Sequence, residues 1–480
     1  MQETARYQNY VDGKWHPAAA EGIEVTNPAT GKTVGTAPTT DASGVDEAVD
    51  AANRAWQSWR WTQPTQRAEH LHRLADVARQ RADDLARSIT LEQGKPLDEA
   101  RGEVSKFIKT LHFYAEEATR VLGRTIPNEE SGFLSIVEKE PVGVVAGIVP
   151  WNDPVELIGW KLAGALAAGC TIVIKPSEHT PGPAHEVFRC LDEAGIPAGV
   201  ANLVHGAGET GKALAAHPQI AKVAFTGSRA TGEGLYRTVS GITGLTLELG
   251  GNCPMLVTSS ADIPAAVRGA ARRSFRNAGQ ICIAINRIYV AAEHYDRFLR
   301  EFAQATADLR VADGLQEPAA DIGALTMREI GQRTADHVAD ATTRGGRILT
   351  GGGPAPTEEG GRFYPPTIVA DAPREAALMH EETFGPAVGV APVDNVEEAV
   401  QHANDTPGGL AAYIYARDVE EIFTASRTAD FGNVAINNVD AGIVNAPYGG
   451  RKQSGTGYEH GPEGLESYLH LKHIRLRHGS

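Results

Sequence analysis

Seven runs decide the fold: VVAGIVPW (144–151), VELIGWKLAGALAAG (155–169), CTIVIKPSE (170–178), AHEVFRCLDEAG (184–195), VANLVHG (200–206), ETGKALAAHP (209–218) and AKVAFTG (221–227). Short apolar runs alternate in them with segments of helical pattern. The apolar runs are nearly continuous, as in strands covered on both faces. This alternation predicts an α/β fold with a parallel sheet, whose ligands lie beyond the carboxyl ends of the strands.

Upstream, helical periodicity dominates 46–122. Leu71, Leu74, Val77, Leu85 and Ile89 fall on one stripe, Gly94-Lys95-Pro96 stops that helix, and another begins near Leu97. Residues 7–40 read as short strands and turns, with NPATGK (27–32) as the turn signal. The segment from Phe133 to Val145 reads as a strand pair hinged at Pro141-Val142-Gly143. A second α/β unit is expected from about 251 to 437, with RILTGGGP (347–354) as a plain surface turn. The last run, ESYLHLKHIRLR (466–477), alternates as an amphipathic strand, and its edges must pair somewhere.

The chain has 480 residues and a net charge of −15, from 60 acidic and 45 basic residues, with no dense basic run. Nucleic acid is excluded as a partner on that ground, because phosphate neutralisation needs clustered cations. Cys170, Cys190, Cys253 and Cys282 are widely spaced, which argues against a disulfide framework and against a zinc site, so no metal is expected. No apolar run reaches the roughly 20 residues of a membrane span, and no secretory leader is visible. The expectation is a soluble, cytoplasmic protein.

Chemistry concentrates in short motifs. SFRNAGQICIAINR (274–287) sets one cysteine, Cys282, after a glycine and between Ile281 and Ile283. Gly206-Ala207-Gly208-Glu209-Thr210-Gly211 matches GxGxxG, but no acidic residue follows at the end of a second strand, so it reads as a strand-to-helix turn. Phe225-Thr226-Gly227-Ser228, with Gly232 further on, opens a helix and offers backbone N–H groups to a pyrophosphate. Glu178 closes a strand near Lys175, and a carboxylate there accepts a ribose diol but repels a 2′-phosphate. Asn152 offers a neutral donor to an oxyanion. Glu248 is a lone carboxylate in an apolar run, which suits a general base.

These motifs, with EETFGP (381–386) and PYGGRKQSG (447–455), resemble the NAD(P)-dependent aldehyde dehydrogenase superfamily over essentially the whole chain, nearest its succinate-semialdehyde dehydrogenase-like branch. The resemblance implies Cys282 as nucleophile, Asn152 as oxyanion donor, Glu248 as the base for deacylation and Glu459 as a second carboxylate on the water path. It also implies NAD held by Trp151, Lys175, Ser177, Glu178, Gly227, Ser228, Gly232, Leu249, Glu382 and Phe384, with NADP disfavoured by Glu178. The implied fold is a Rossmann-like parallel-sheet cofactor domain (1–131 and 142–250), an α/β catalytic domain (251–453) and a small β oligomerisation element (132–141 and 466–480) building a homodimer or homotetramer. The implied chemistry is a thiohemiacetal, then a thioester on Cys282, hydrolysed by water that Glu248 activates.

The substrate pocket departs from the branch. Arg276 stands where a carboxylate-binding arginine is found, but Trp160 replaces its second arginine, Tyr448 replaces a Phe, and Asp153 would repel an anion. Leu157, Trp160, Ile281, Ile283 and Tyr448 point to an apolar or aromatic aldehyde. A semialdehyde held by Arg276, or a cationic aminoaldehyde drawn by Asp153 and Asp440, are the alternatives.

Overall fold

The protein is represented by a computed structural model that describes residues 4–17, 22–354 and 360–478. At the centre of its first sheet five parallel strands lie in the order Gly244–Leu249, Ile220–Gly227, Val144–Ile148, Thr171–Lys175, Ala201–Leu203. The chain enters at Val144–Ile148, winds outward through two strands, then crosses back to lay Ile220–Gly227 on the other side. That reversal opens a crevice between the carboxyl ends of Val144–Ile148 and Ile220–Gly227, the usual ligand position in such sheets. Pro150-Trp151-Asn152 and Thr226-Gly227-Ser228 emerge into it. Tyr10–Val11 and Lys14–Trp15 extend one edge antiparallel, and Gly455–Thr456 caps the other.

The second sheet has seven strands, in the order Arg347–Thr350, Thr367–Ala370, Ala387–Val393, Ile285–Ala291, Cys253–Val257, Ala411–Tyr415, Asn433–Ile436. All pairings are parallel except that of Arg347–Thr350 with Thr367–Ala370. RILT is therefore an edge strand, and only the glycines after it turn.

Helix Pro154–Ala168 is apolar almost all round and every residue in it is buried, which suits an interior position. Helix Leu97–Ala118 packs on it so closely that a Cβ on Gly159 would lie 2.5 Å from the Phe107 ring. Leu71, Leu74, Leu85 and Ile89 are fully buried within helices Pro64–Gln80 and Ala82–Gln93, and Val77 packs against the core partly covered. Gly94, at φ +100°, ends the second of these.

The expected strand pair at 133–145 does not form. Phe133–Pro141 leaves the body of the protein and pairs antiparallel with Leu469–Arg477 over nine residues, with Arg124–Ile126 on its other side. Val144–Ile148 belongs to the first sheet instead. Pro141 to Gly143 is thus a crossing between sheets; alternation alone does not say which partner a strand takes. Among the described residues no helix is long and apolar enough to cross a membrane.

Candidate active site

Cys282 lies between helix Ile263–Phe275 and strand Ile285–Ala291, after a turn in which Asn277, Ala278 and Gly279 have φ of 51°, 54° and 73°. Such left-handed backbone costs a non-glycine residue about 1–2 kcal/mol. Neighbouring polar groups hold it in place. The Asn277 amide donates to the Asn152 carbonyl (3.0 Å) and the Gln280 carbonyl (3.3 Å), its oxygen accepts from Gln93 (2.8 Å), and its backbone N–H donates to Glu99 (3.1 Å). Gly279 has no alternative, since a Cβ there would lie 2.2 Å from the Gly385 carbonyl.

Asn152 sits in the turn after Val144–Ile148, and its side-chain N–H donates to the Gln280 carbonyl (3.2 Å) and to Asp153 (3.3 Å). Its donor is thereby held against the segment that carries Cys282. Behind it stands Lys95, whose buried ammonium donates to Glu103 (2.7 Å), Asp153 (2.7 Å) and the Asn152 carbonyl (2.8 Å). Glu103 also accepts from the Val155 and Glu156 N–H groups (2.7 and 3.2 Å), filling orphan donors at the start of helix Pro154–Ala168. Asp153 remains ionised: burial pushes its pKa up, but Lys95, Arg276 and Lys106 together bring it below the usual carboxylate value. Its charge is matched from inside, so it is not a bare anion in the tunnel.

The Cys282 sulfur is 3.5 Å from the Tyr448 hydroxyl. Burial pushes the thiol pKa up, and the Tyr448 hydrogen bond works in the opposite direction. Glu248, in strand Gly244–Leu249, is 3% exposed, and neither carboxylate oxygen has a partner among the described residues. Burial, and then the charge of Glu459, push its pKa well above the ordinary value. Glu459 accepts from Lys161 (2.8 Å), which also donates to Thr226 (2.7 Å).

One cavity of about 230 Å³ joins most of these groups. Asn152, Glu248 and Cys282 line it. So do Asp153, Leu157, Trp160, Arg276, Ile281, Ile283 and Tyr448, the residues expected around a substrate, and Trp151, Gly227, Ser228, Leu249, Glu382 and Phe384, those expected around a cofactor. Lys175, Ser177 and Glu178 stand outside it at the end of strand Thr171–Lys175, where Lys175 and Glu178 pair at 3.4 Å. Glu459 lies behind the wall. Gly232 lines a smaller hollow beside Leu249, and a Cβ on it would meet the Leu249 side chain at 2.5 Å.

Asp440 does not line the cavity. Its carboxylate is taken by Arg273 (3.1 Å) and Arg272 (3.4 Å), which removes it from the aminoaldehyde reading. Conversely, Lys95, Glu103, Asn277 and Lys161 brace the site, and Lys106, Arg273, Met327, Arg333 and His460 line it, although none of them is singled out by the sequence. Lys95 reads there as part of a helix stop. Its one signal is a charge placed between segments that must both be buried.

The groups fit a dinucleotide. Ser228 caps helix Arg229–Thr238 through the Thr231 N–H (3.3 Å), so that helix turns its N-terminus toward the crevice. Glu382 accepts from the Gly251 N–H (3.2 Å), and burial pushes its pKa up to about 7. Phe384 meets Trp151 edge-on at 5.4 Å. Among the described residues no group of three His, Cys, Asp or Glu side chains is placed to hold a metal.

Comparison with known proteins agrees with this geometry. The profile of the Aldehyde dehydrogenase family matches residues 15–474. Succinate-semialdehyde dehydrogenase (NADP(+)) GabD of Escherichia coli strain K12 is 42% identical over 98% of this chain and 97% of its own. Glutarate-semialdehyde dehydrogenase of Pseudomonas aeruginosa is 41% identical, over 98% of both chains. The crystal structure of succinate-semialdehyde dehydrogenase from Burkholderia pseudomallei superposes with a TM-score of 0.95 at 38% identity, covering 98% of each chain. The chain belongs to the aldehyde dehydrogenase family and is an NAD(P)-dependent oxidoreductase of aldehydes.

Proposed function

We propose that this enzyme oxidises a semialdehyde, a short aldehyde with an anionic far end, to the corresponding acid. The observation that carries the reading is the Lys95–Asp153 pair. Of the carboxylates at this part of the wall, Asp153 is paired with Lys95 and Glu156 with Lys106, and Arg276 adds a further cation, held by Glu99 through its Nε at 2.9 Å. The substrates named for the two relatives above support a semialdehyde over the apolar or aromatic aldehyde that the pocket residues alone favour. Leu157, Trp160, Ile281 and Ile283 then enclose the carbon chain, and uncharged aldehydes of similar length are slower substrates.

The geometry supports the following side-chain roles. The Cys282 thiolate attacks the carbonyl carbon, and the oxyanion formed is stabilised by the Asn152 amide and the Cys282 backbone N–H. A bound nicotinamide supplies the hydride acceptor. Loss of hydride leaves a thioester on Cys282. In its ionised form Glu248, which has no hydrogen-bond partner among the described residues, takes a proton from water, which hydrolyses the thioester. Lys161 and Glu459 lie beside Glu248 and adjust its charge balance. Glu178 supports NAD over NADP, because its pKa stays low: burial raises it, but Lys175 and local hydrogen bonds outweigh that. The NADP(+) in the name of the first relative makes assay with both cofactors necessary.

The test is kcat/KM for succinate and glutarate semialdehydes against unsubstituted aldehydes of equal length, in the wild type and in Arg276→Ala. A charged hydrogen bond is worth about 1.5–3 kcal/mol, so the variant loses about 10- to 100-fold on the semialdehydes and little on the others. Equal loss on both sets would make Arg276 structural and overturn the substrate reading.

A further inference from the structure

We propose that Tyr448 is a catalytic residue: its hydroxyl donates a hydrogen bond to the Cys282 sulfur and holds it as the thiolate that attacks the substrate. This rests on Cys282 being the nucleophile. The two atoms are 3.5 Å apart, within range for a bond to sulfur. A neutral thiol can donate or accept in such a pair, whereas a thiolate only accepts. The bond is therefore strongest once the sulfur is charged, and it pulls the equilibrium that way.

The surroundings give the sulfur little other help. Asp153, Glu248 and the Cys253 thiol, the titratable groups acting on it from three other segments, all oppose a negative charge there, as does burial itself. Lys95 is committed to Asp153 and Glu103. His460 beside the Tyr448 ring has its pKa pushed down to about 3 by burial, so it is neutral and brings no charge. A cysteine in an apolar pocket is otherwise inert at neutral pH.

Tyr448 is also built to hold its aim. It is 2% exposed, and its ring meets Trp160 edge-on at 5.2 Å. Its backbone N–H donates to the Glu459 carbonyl (2.7 Å), and its own carbonyl accepts from the Glu459 N–H (2.8 Å). The hydroxyl is thus fixed from the segment that also carries the carboxylate partner of Lys161. Its own proton stays in place, since burial, and then the charge of Cys282, push the Tyr448 pKa well up. It acts as a donor and not as a base.

Tyr448→Phe removes the hydroxyl and keeps the ring, so the packing against Trp160 survives. The readout is the rate at which iodoacetamide alkylates Cys282 as a function of pH, followed by mass spectrometry of the Cys282 peptide, with no substrate or cofactor present. Loss of one hydrogen bond to a charged acceptor slows alkylation at pH 7 about tenfold and moves its half-maximal pH up by about one unit. An unchanged rate and profile would overturn the proposal. Cys282→Ala, assayed for turnover, separates this from the nucleophile reading. Retained activity in it would overturn both, whereas an inactive Cys282→Ala beside an unchanged Tyr448→Phe profile would overturn the role of the hydroxyl alone.

Discussion

Lys95 ties the Asn152 turn to two carboxylates inside the protein. Removing one partner from such a network leaves charge uncompensated in the interior, at a cost of about 3–5 kcal/mol. Lys95→Met is therefore expected to lower stability by that amount in urea unfolding and to impair turnover through Asn152. A change under about 1 kcal/mol would mean that Glu103 and Asp153 find other partners or take up protons. At this scale the sequence is uneven. Cys282 and Glu248 are lone reactive side chains in apolar runs, and with Asn152 they become legible through short motifs, in order along the chain, that resemble those of the family. Lys95 does not, because Gly94 and Pro96 on either side explain the local backbone fully and leave the lysine looking incidental. Asp153 misleads for a related reason, since its neutralising partner is 58 residues away.

Among the elements, the terminal strand Leu469–Arg477 has the clearest consequence. It makes a nine-residue ladder with Phe133–Pro141 and stands away from the body of the protein, with Leu471 69% and Leu476 54% exposed. A long amphipathic strand with exposed leucines on a sheet edge is a pairing surface. The proposal that this element joins subunits predicts a dimer or tetramer in light scattering, and a smaller species after truncation at Tyr468. A full-length monomer would contradict it. Strand existence here follows from the alternation, and its need for a partner is equally plain. The partner itself is not, because register and pairing depend on contacts more than 300 residues apart. The same limit explains why Phe133–Pro141 and Val144–Ile148, adjacent in sequence, enter different sheets. In the parallel sheet, by contrast, the order of alternating strands and helices constrains the topology tightly through short, right-handed crossovers.

Over the whole molecule, two sheets meet so that Cys282, the proposed nucleophile, reaches from the second toward a crevice at the switch point of the first. Glu248 arrives from the edge of the first sheet, and Tyr448 and Glu459 return to the same place from the far end of the chain. The proposed mechanism divides the reaction between acylation of Cys282 and its hydrolysis. Glu248 must be ionised for the second half. Because its pKa is raised, the ionised fraction falls as pH falls, and hydrolysis slows toward acid while acylation is limited by the thiol. The most direct test of this division is single-turnover mixing of Glu248→Gln with a semialdehyde and excess NAD, followed by intact and peptide mass spectrometry. The account predicts a burst of about one reduced cofactor per active site and an acyl group retained on Cys282; continued wild-type turnover, or an acyl group found on any other residue, would contradict it.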